Sequence, residues 1–253
     1  MSRRIDEGVS TKYSKPPIVE AVCEFRLPFN MKWDLTIYGS VYEKLKHLFP
    51  NKKDIPMRNI EFSDGPGELQ QKIGFSTHMQ ISTEDNNRLV RIGPKVFLLS
   101  LKSPYPGWDE MKRLLSEVLE AVGTSVELRA FSRIGLRYIN VFELPDSMVE
   151  LQKYFNFRPI WPWVDLVTSE VTANCLFNYK EGRDACRIII ADQKTEKGKP
   201  SSFVLDLDYF LKKPEAVKTD EALPWVEEAH ETIVDLFEGS ITKDTRNLLG
   251  VSQ

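Results

Sequence analysis

The chain has 253 residues, 42% apolar and 28% charged, a length that buries roughly 70–75% of the unfolded surface without help from a disulfide or metal. Its 34 Lys and Arg against 37 Asp and Glu leave a net charge of −3, so no bulk field gathers polyanions and nucleic-acid affinity gains no support. Apolar runs fall short of the roughly 20 residues of a membrane helix. The polar opening Met1–Ser14 lacks a signal region, and the odd set of cysteines, Cys23, Cys175 and Cys186, suits reduced thiols, so the expected location is cytoplasmic.

Residues 1–15 are expected to be a flexible arm. Beyond Pro16-Pro17, the alternation of Val19, Ala21, Cys23, Phe25 and Leu27 with Glu20, Val22, Glu24 and Arg26 predicts a strand over 18–27. Leu35, Tyr38, Val41, Tyr42, Leu45 and Leu48 predict a helix over 33–48, stopped by Pro50. Strands are expected at 57–62, 71–82, 87–92 and 95–101, and a helix runs from Trp108 to Val122, ended by Gly123. A long strand at 126–144, a short helix near 147–155 and a crossing through Trp161 and Trp163 follow. The proline-bracketed tryptophans suit a packed corner or an aromatic platform. Strands at 165–179, 184–192 and 202–209 come next, with a lysine-rich loop at 193–200, and the fourth amphipathic helix covers 222–238. Centring the hairpin on Glu181-Gly182 sets Cys186 opposite Phe177, which argues against a Cys175–Cys186 disulfide.

The expected class is α+β with mainly antiparallel pairing. Strand, helix, strands and helix occur twice, giving a first half at 16–130 and a second at 131–253, packed as one unit. Leu27-Pro28 against Leu144-Pro145 and Trp108 against Trp225 share one offset, which suggests a duplicated or barrel-like sheet with helices packed on it. The first strands of the halves, 18–27 and 131–142, are then expected side by side.

The segments Lys15-Pro16-Pro17-Ile18-Val19-Glu20-Ala21-Val22, Tyr105-Pro106-Gly107-Trp108, Arg133 to Asn140 (RIGLRYIN) and Leu205-Asp206-Leu207-Asp208 occur in this order. With Ala229-His230, Phe237-Glu238 and Ile241-Thr242, they resemble a sporadically distributed, uncharacterised prokaryotic family of roughly this length, from about residue 13 to 249. The resemblance implies no established activity. The family's patchy distribution is similar to that of defence or mobile-island genes.

Candidate site residues are charged positions on these strands. Arg133 and Arg137 share a face about 13 Å apart, suited to flanking a nucleotide-length anion or to pairing with carboxylates. Glu20 and Glu24 have the same spacing, and bridges from these acids to the two arginines are expected across the seam. Asn140 closes the same motif and joins the ligand-binding set. Asp206 and Asp208, roughly 7 Å apart, belong to a solvated polar face opposite Phe203, Leu205, Leu207 and Tyr209, or to a divalent-ion site that needs a third ligand. Compared with the triphosphate tunnel enzymes, the acids of the first strand stand four apart instead of two, with Arg26 in the basic place. His47 and His78 fall on a helix end and a polar strand face. His230 lies beside the apolar stripe of the last helix, as a hydrogen-bonded boundary residue or a general base.

With no specific catalytic motif, the favoured function is a non-catalytic binding or regulatory protein that acts with a partner protein or as a homodimer, in a defence or toxin–antitoxin setting. No cofactor is expected. The alternative is a metal-dependent phosphohydrolase that binds a nucleotide or polyphosphate. Nucleic-acid binding through Lys194, Lys197 and Lys199 is weakest, because Asp192 and Glu196 dilute the charge.

Overall fold

Alternation along Ile18–Arg26 turns Ala21, Cys23 and Phe25 into the core and leaves Val22 and Glu24 on the opposite face, and this strand, β1, sits near the middle of the sheet. The computed structural model describes residues 13–65, 68–145, 151–157, 171–193 and 201–251, with the main chain alone at 58–65 and 68–73. Most of the expected arm, the Trp161–Trp163 crossing, the start of the 165–179 strand and Lys194, Lys197 and Lys199 therefore lie outside the described residues.

Helix α1 (Thr36–Leu45) is shorter than its 33–48 pattern, and Asp34 accepts the Thr36 amide at its entrance at 2.7 Å. The hairpin of β2 (Asn51–Gly65) and β3 (Glu68–Ser82) is paired along its whole length. β2 thus begins six residues before the expected 57–62; its start, Asn51–Asp54, is polar and exposed, so no hydrophobic alternation marks it. β4 (Arg88–Gly93) and β5 (Val96–Lys102) follow, then α2 (Trp108–Gly123).

Strand β6 starts at Arg133 and ends at Leu144, not at 126 as expected. Val126 instead bonds back to the Val122 carbonyl at the end of α2, and Ala130 makes only an isolated bridge to Lys218. Past α3 (Leu151–Tyr154), β7 (Thr172–Tyr179) and β8 (Asp184–Gln193) form a hairpin with Cys186 opposite Phe177, and no cysteine is in a disulfide. β9 (Ser201–Leu211) leads to α4 (Ala222–Ser240). A further helix, α5 (Lys243–Leu249), was not expected. It is opened by the Thr242 hydroxyl accepting the Thr245 amide and closed by Gly250 at φ 68°.

The nine described strands form a single sheet in the order β2-β3-β4-β5-β1-β6-β9-β8-β7, and every pairing among them is antiparallel. β1 and β6 are neighbours at its centre, with Val22 opposite Arg137. Among the described residues nothing joins β2 to β7, so the sheet is open and the barrel-like closure is corrected. The helices gather on one side. There α2 and α4 cover β5, β6 and β9, and residues such as Phe25, Leu99, Leu136 and Leu207 are buried beneath them. No described helix packs on the other side. Among the described residues no helix is long and apolar enough to cross a membrane.

Candidate functional site

The period of two along a strand sends Glu20 and Glu24 of β1, Arg133 and Arg137 of β6, and Asp206 and Asp208 of β9 to the helix-free face. The pairing β1–β6–β9 brings these rows together. Asn140 and His230 are not with them. Asn140, 1% exposed, lies on the helix side, and its amide donates to the Leu205 carbonyl at 3.1 Å, a bond within the sheet.

Arg133 is the hub. Its Nη1 donates to Glu24 Oε1 and its Nη2 to Asp208 Oδ2, each at 3.2 Å, while the guanidinium lies 4.8 Å over the ring of Phe210. Glu24 also accepts from Arg26 Nε at 2.7 Å. Gly135 makes this geometry possible. It stands between Glu24 and Phe210 in the register, and a Cβ there would come within 2.5 Å of Arg133 Nη1. A glycine inside a strand is the sequence signal for such a close approach.

Of the two expected seam bridges, Glu24–Arg133 forms and Glu20–Arg137 does not. Glu20 accepts the hydroxyl of Ser100 on β5, and Arg137 turns to β9, where Nε and Nη2 reach the two oxygens of Asp206 at 2.8 and 2.5 Å. A fork-to-fork pair satisfies both carboxylate oxygens at once, which a single bond to an acid already held by Ser100 does not. That hydrogen bond raises the Arg137 pKa further. The solvated face expected for the aspartates is corrected too: the Asp206 side chain is only 8% exposed. Burial raises the Asp208 carboxyl above its ordinary value even though Arg133 and Arg137 pull it down.

The metal reading of Asp206 and Asp208 meets the same geometry. Their oxygens face guanidinium groups, and no cluster of His, Cys, Asp and Glu is arranged for a metal ion among the described residues. Such a network can present shape and charge to a ligand, but it supplies no nucleophile next to a base.

His230 belongs to a different cluster on the helix side. Its ring stacks on Trp108 of α2 at 3.9 Å, and Nδ1 lies 3.2 Å from the Tyr138 hydroxyl, which in turn lies 3.0 Å from that of Tyr105. Burial lowers its pKa to about 4. Sequence reasoning missed Asp184, which is fully buried under α4, and Arg91, which shares the helix-free face. Asp184 follows directly on a turn, where aspartate is ordinary, and nothing local marks it. No protein-family model, curated protein or solved structure matches the chain.

Proposed function

We propose that the chain is a non-catalytic binding module that takes up a partner protein on the helix-free face of its sheet. The observation that carries this reading is a closed set of arginine–carboxylate pairs, Arg133 with Glu24 and Asp208 and Arg137 with Asp206, on a face that no described helix covers. Charged groups at a docking surface fix register and reject wrong partners more than they add affinity. Half-buried Ile139, Val141, Ile189, Val204 and Phe210 surround them, the mixture of apolar area, arginine and aromatic residues found in protein interfaces.

The family resemblance supports a defence or toxin–antitoxin setting, with the product of an adjoining gene as first partner and the cytoplasm as the place of action. Strand order supports an internal duplication, since β5-β4-β3-β2 and β9-β8-β7 extend in opposite directions from β1 and β6.

Co-expression with the products of the adjoining genes tests the reading. The expected result is a complex that survives gel filtration and is lost in Val204→Lys, which adds a charge beside Asp206 without touching the core. If the wild-type chain associates with none of these products, the partner reading fails. If Val204→Lys binds as well as wild type, the sheet face is not the surface used. A homodimer by light scattering, broken by the same substitution, would make the partner a second copy.

A further inference from the structure

The helix-free face also holds a cavity of about 420 Å³, bounded by the β4–β5 turn and by β1 and β3, within the size range of small-molecule sites. Its wall carries Arg26, Arg91 and Lys95 against one carboxylate, Glu24. That carboxylate is already shared, because Oε1 accepts from both Arg26 and Arg133.

Arg91 pairs with no acid among the described residues. Its Nη2 donates to the neutral amide oxygen of Gln80 at 3.1 Å, and its Nε is buried without an acceptor. A charged donor kept from water in this way is unfavourable until an oxygen meets it. His78 also lines the cavity. It is 8% exposed and makes no hydrogen bond among the described residues, while burial, and then Arg91, lower its pKa. Gly93 seats this imidazole: a Cβ there would come within 2.3 Å of the ring. Met57, Val96 and Leu98 supply an apolar wall.

We propose that this cavity binds a phosphomonoester of mononucleotide size. The phosphate meets Arg91, Arg26 and His78, and the body of the molecule lies on Met57, Val96 and Leu98. Three cations against one acid leave an excess of two positive charges, which matches a phosphate dianion. Arginine's planar fork suits phosphate oxygens better than a point charge does. The inference stands on the cavity alone and does not require the partner reading.

Calorimetric titration of the full chain at low ionic strength tests it, with adenosine 5′-monophosphate, ribose 5-phosphate, inorganic phosphate and adenosine as probes. The monophosphate is expected to bind saturably, the two smaller phosphates more weakly, and adenosine not at all. Arg91→Gln is expected to weaken binding by about ten-fold or more, and Arg187→Gln, whose guanidinium bonds Asn174 outside the cavity, to leave it unchanged. Lys95→Gln, at the turn, is the second variant should Arg91→Gln unfold, and it is expected to weaken binding several-fold. The proposal is overturned if none of the phosphates binds at millimolar concentration. It is equally overturned if adenosine binds as tightly as its monophosphate, or if the arginine or lysine variant that folds binds like wild type. Partner association is read by gel filtration, so either reading can fail alone.

Discussion

A carboxylate without access to solvent is tolerated only when its lone pairs are taken, and Asp184 meets that condition through three different elements. Its Oδ1 accepts from the Trp225 indole of α4 at 3.1 Å, and its Oδ2 from the Tyr209 hydroxyl of β9 at 3.2 Å and from Arg183 Nη2 at 2.6 Å. The same burial, with the acid beside it, raises the Tyr209 phenol pKa. Replacing Asp184 by Ala strands an indole N–H, a phenol and part of a guanidinium charge, and the expected cost is about 3–5 kcal/mol. Asp184→Asn keeps an acceptor for Trp225 and is expected to lose less. Urea denaturation of the two variants checks the order, and equal losses would show that charge, not the acceptor oxygen, sets the cost.

The helices α2 and α4 meet over a polar seam, where Trp108, His230, Tyr138 and Tyr105 form one stacked and hydrogen-bonded series. Because burial holds His230 near pKa 4, below about 6.5 in an unfolded chain, the unfolded state binds the extra proton first. Its contribution to stability is therefore complete above about pH 6.5 and is lost as pH falls toward 4, with a slope approaching about 1.4 kcal/mol per pH unit. Urea midpoints between pH 7 and 5 are expected to fall in wild type and to flatten in His230→Phe, which keeps the stack without the titration. An unchanged slope would assign the effect to other groups. The two long helices were legible because their apolar positions recur every three or four residues, as Met111, Leu115 and Val118 or Trp225, Ala229 and Ile233 do. α5 was not, since a seven-residue helix with only Thr245 and Leu249 buried carries no such period. What the stripe of α4 could not disclose was the neighbour of His230, because Trp108 reaches it only through the packing of α2.

At the scale of the molecule, the charged rows could be read from alternation, but their partners depend on strand order, which no local pattern contains. Glu20 and Arg137 looked complementary because β1 and β6 were expected to adjoin, and they do; the placement of β9 on the far side of β6 gave Arg137 to Asp206 instead. The same order joins the two sequence halves in one sheet. β1 and β6 pair across the middle of the sheet, and the cluster of buried residues runs without a break from Phe25 and Leu99 through Leu136 to Leu207 and Ile233. Separating the halves would expose a paired strand edge and the apolar side chains behind it, an opening with no compensating contact. Unfolding in urea is therefore expected as one transition, with tryptophan fluorescence and far-ultraviolet circular dichroism superimposed. Leu136, fully buried in β6 at the seam, provides the sharper test. Leu136→Ala is expected to cost about 2–5 kcal/mol and to move both signals by the same amount, because a cavity at the shared strand weakens both halves together. Two resolved transitions, or a shift in only one signal, would mean that the halves fold as separate units joined at β1 and β6.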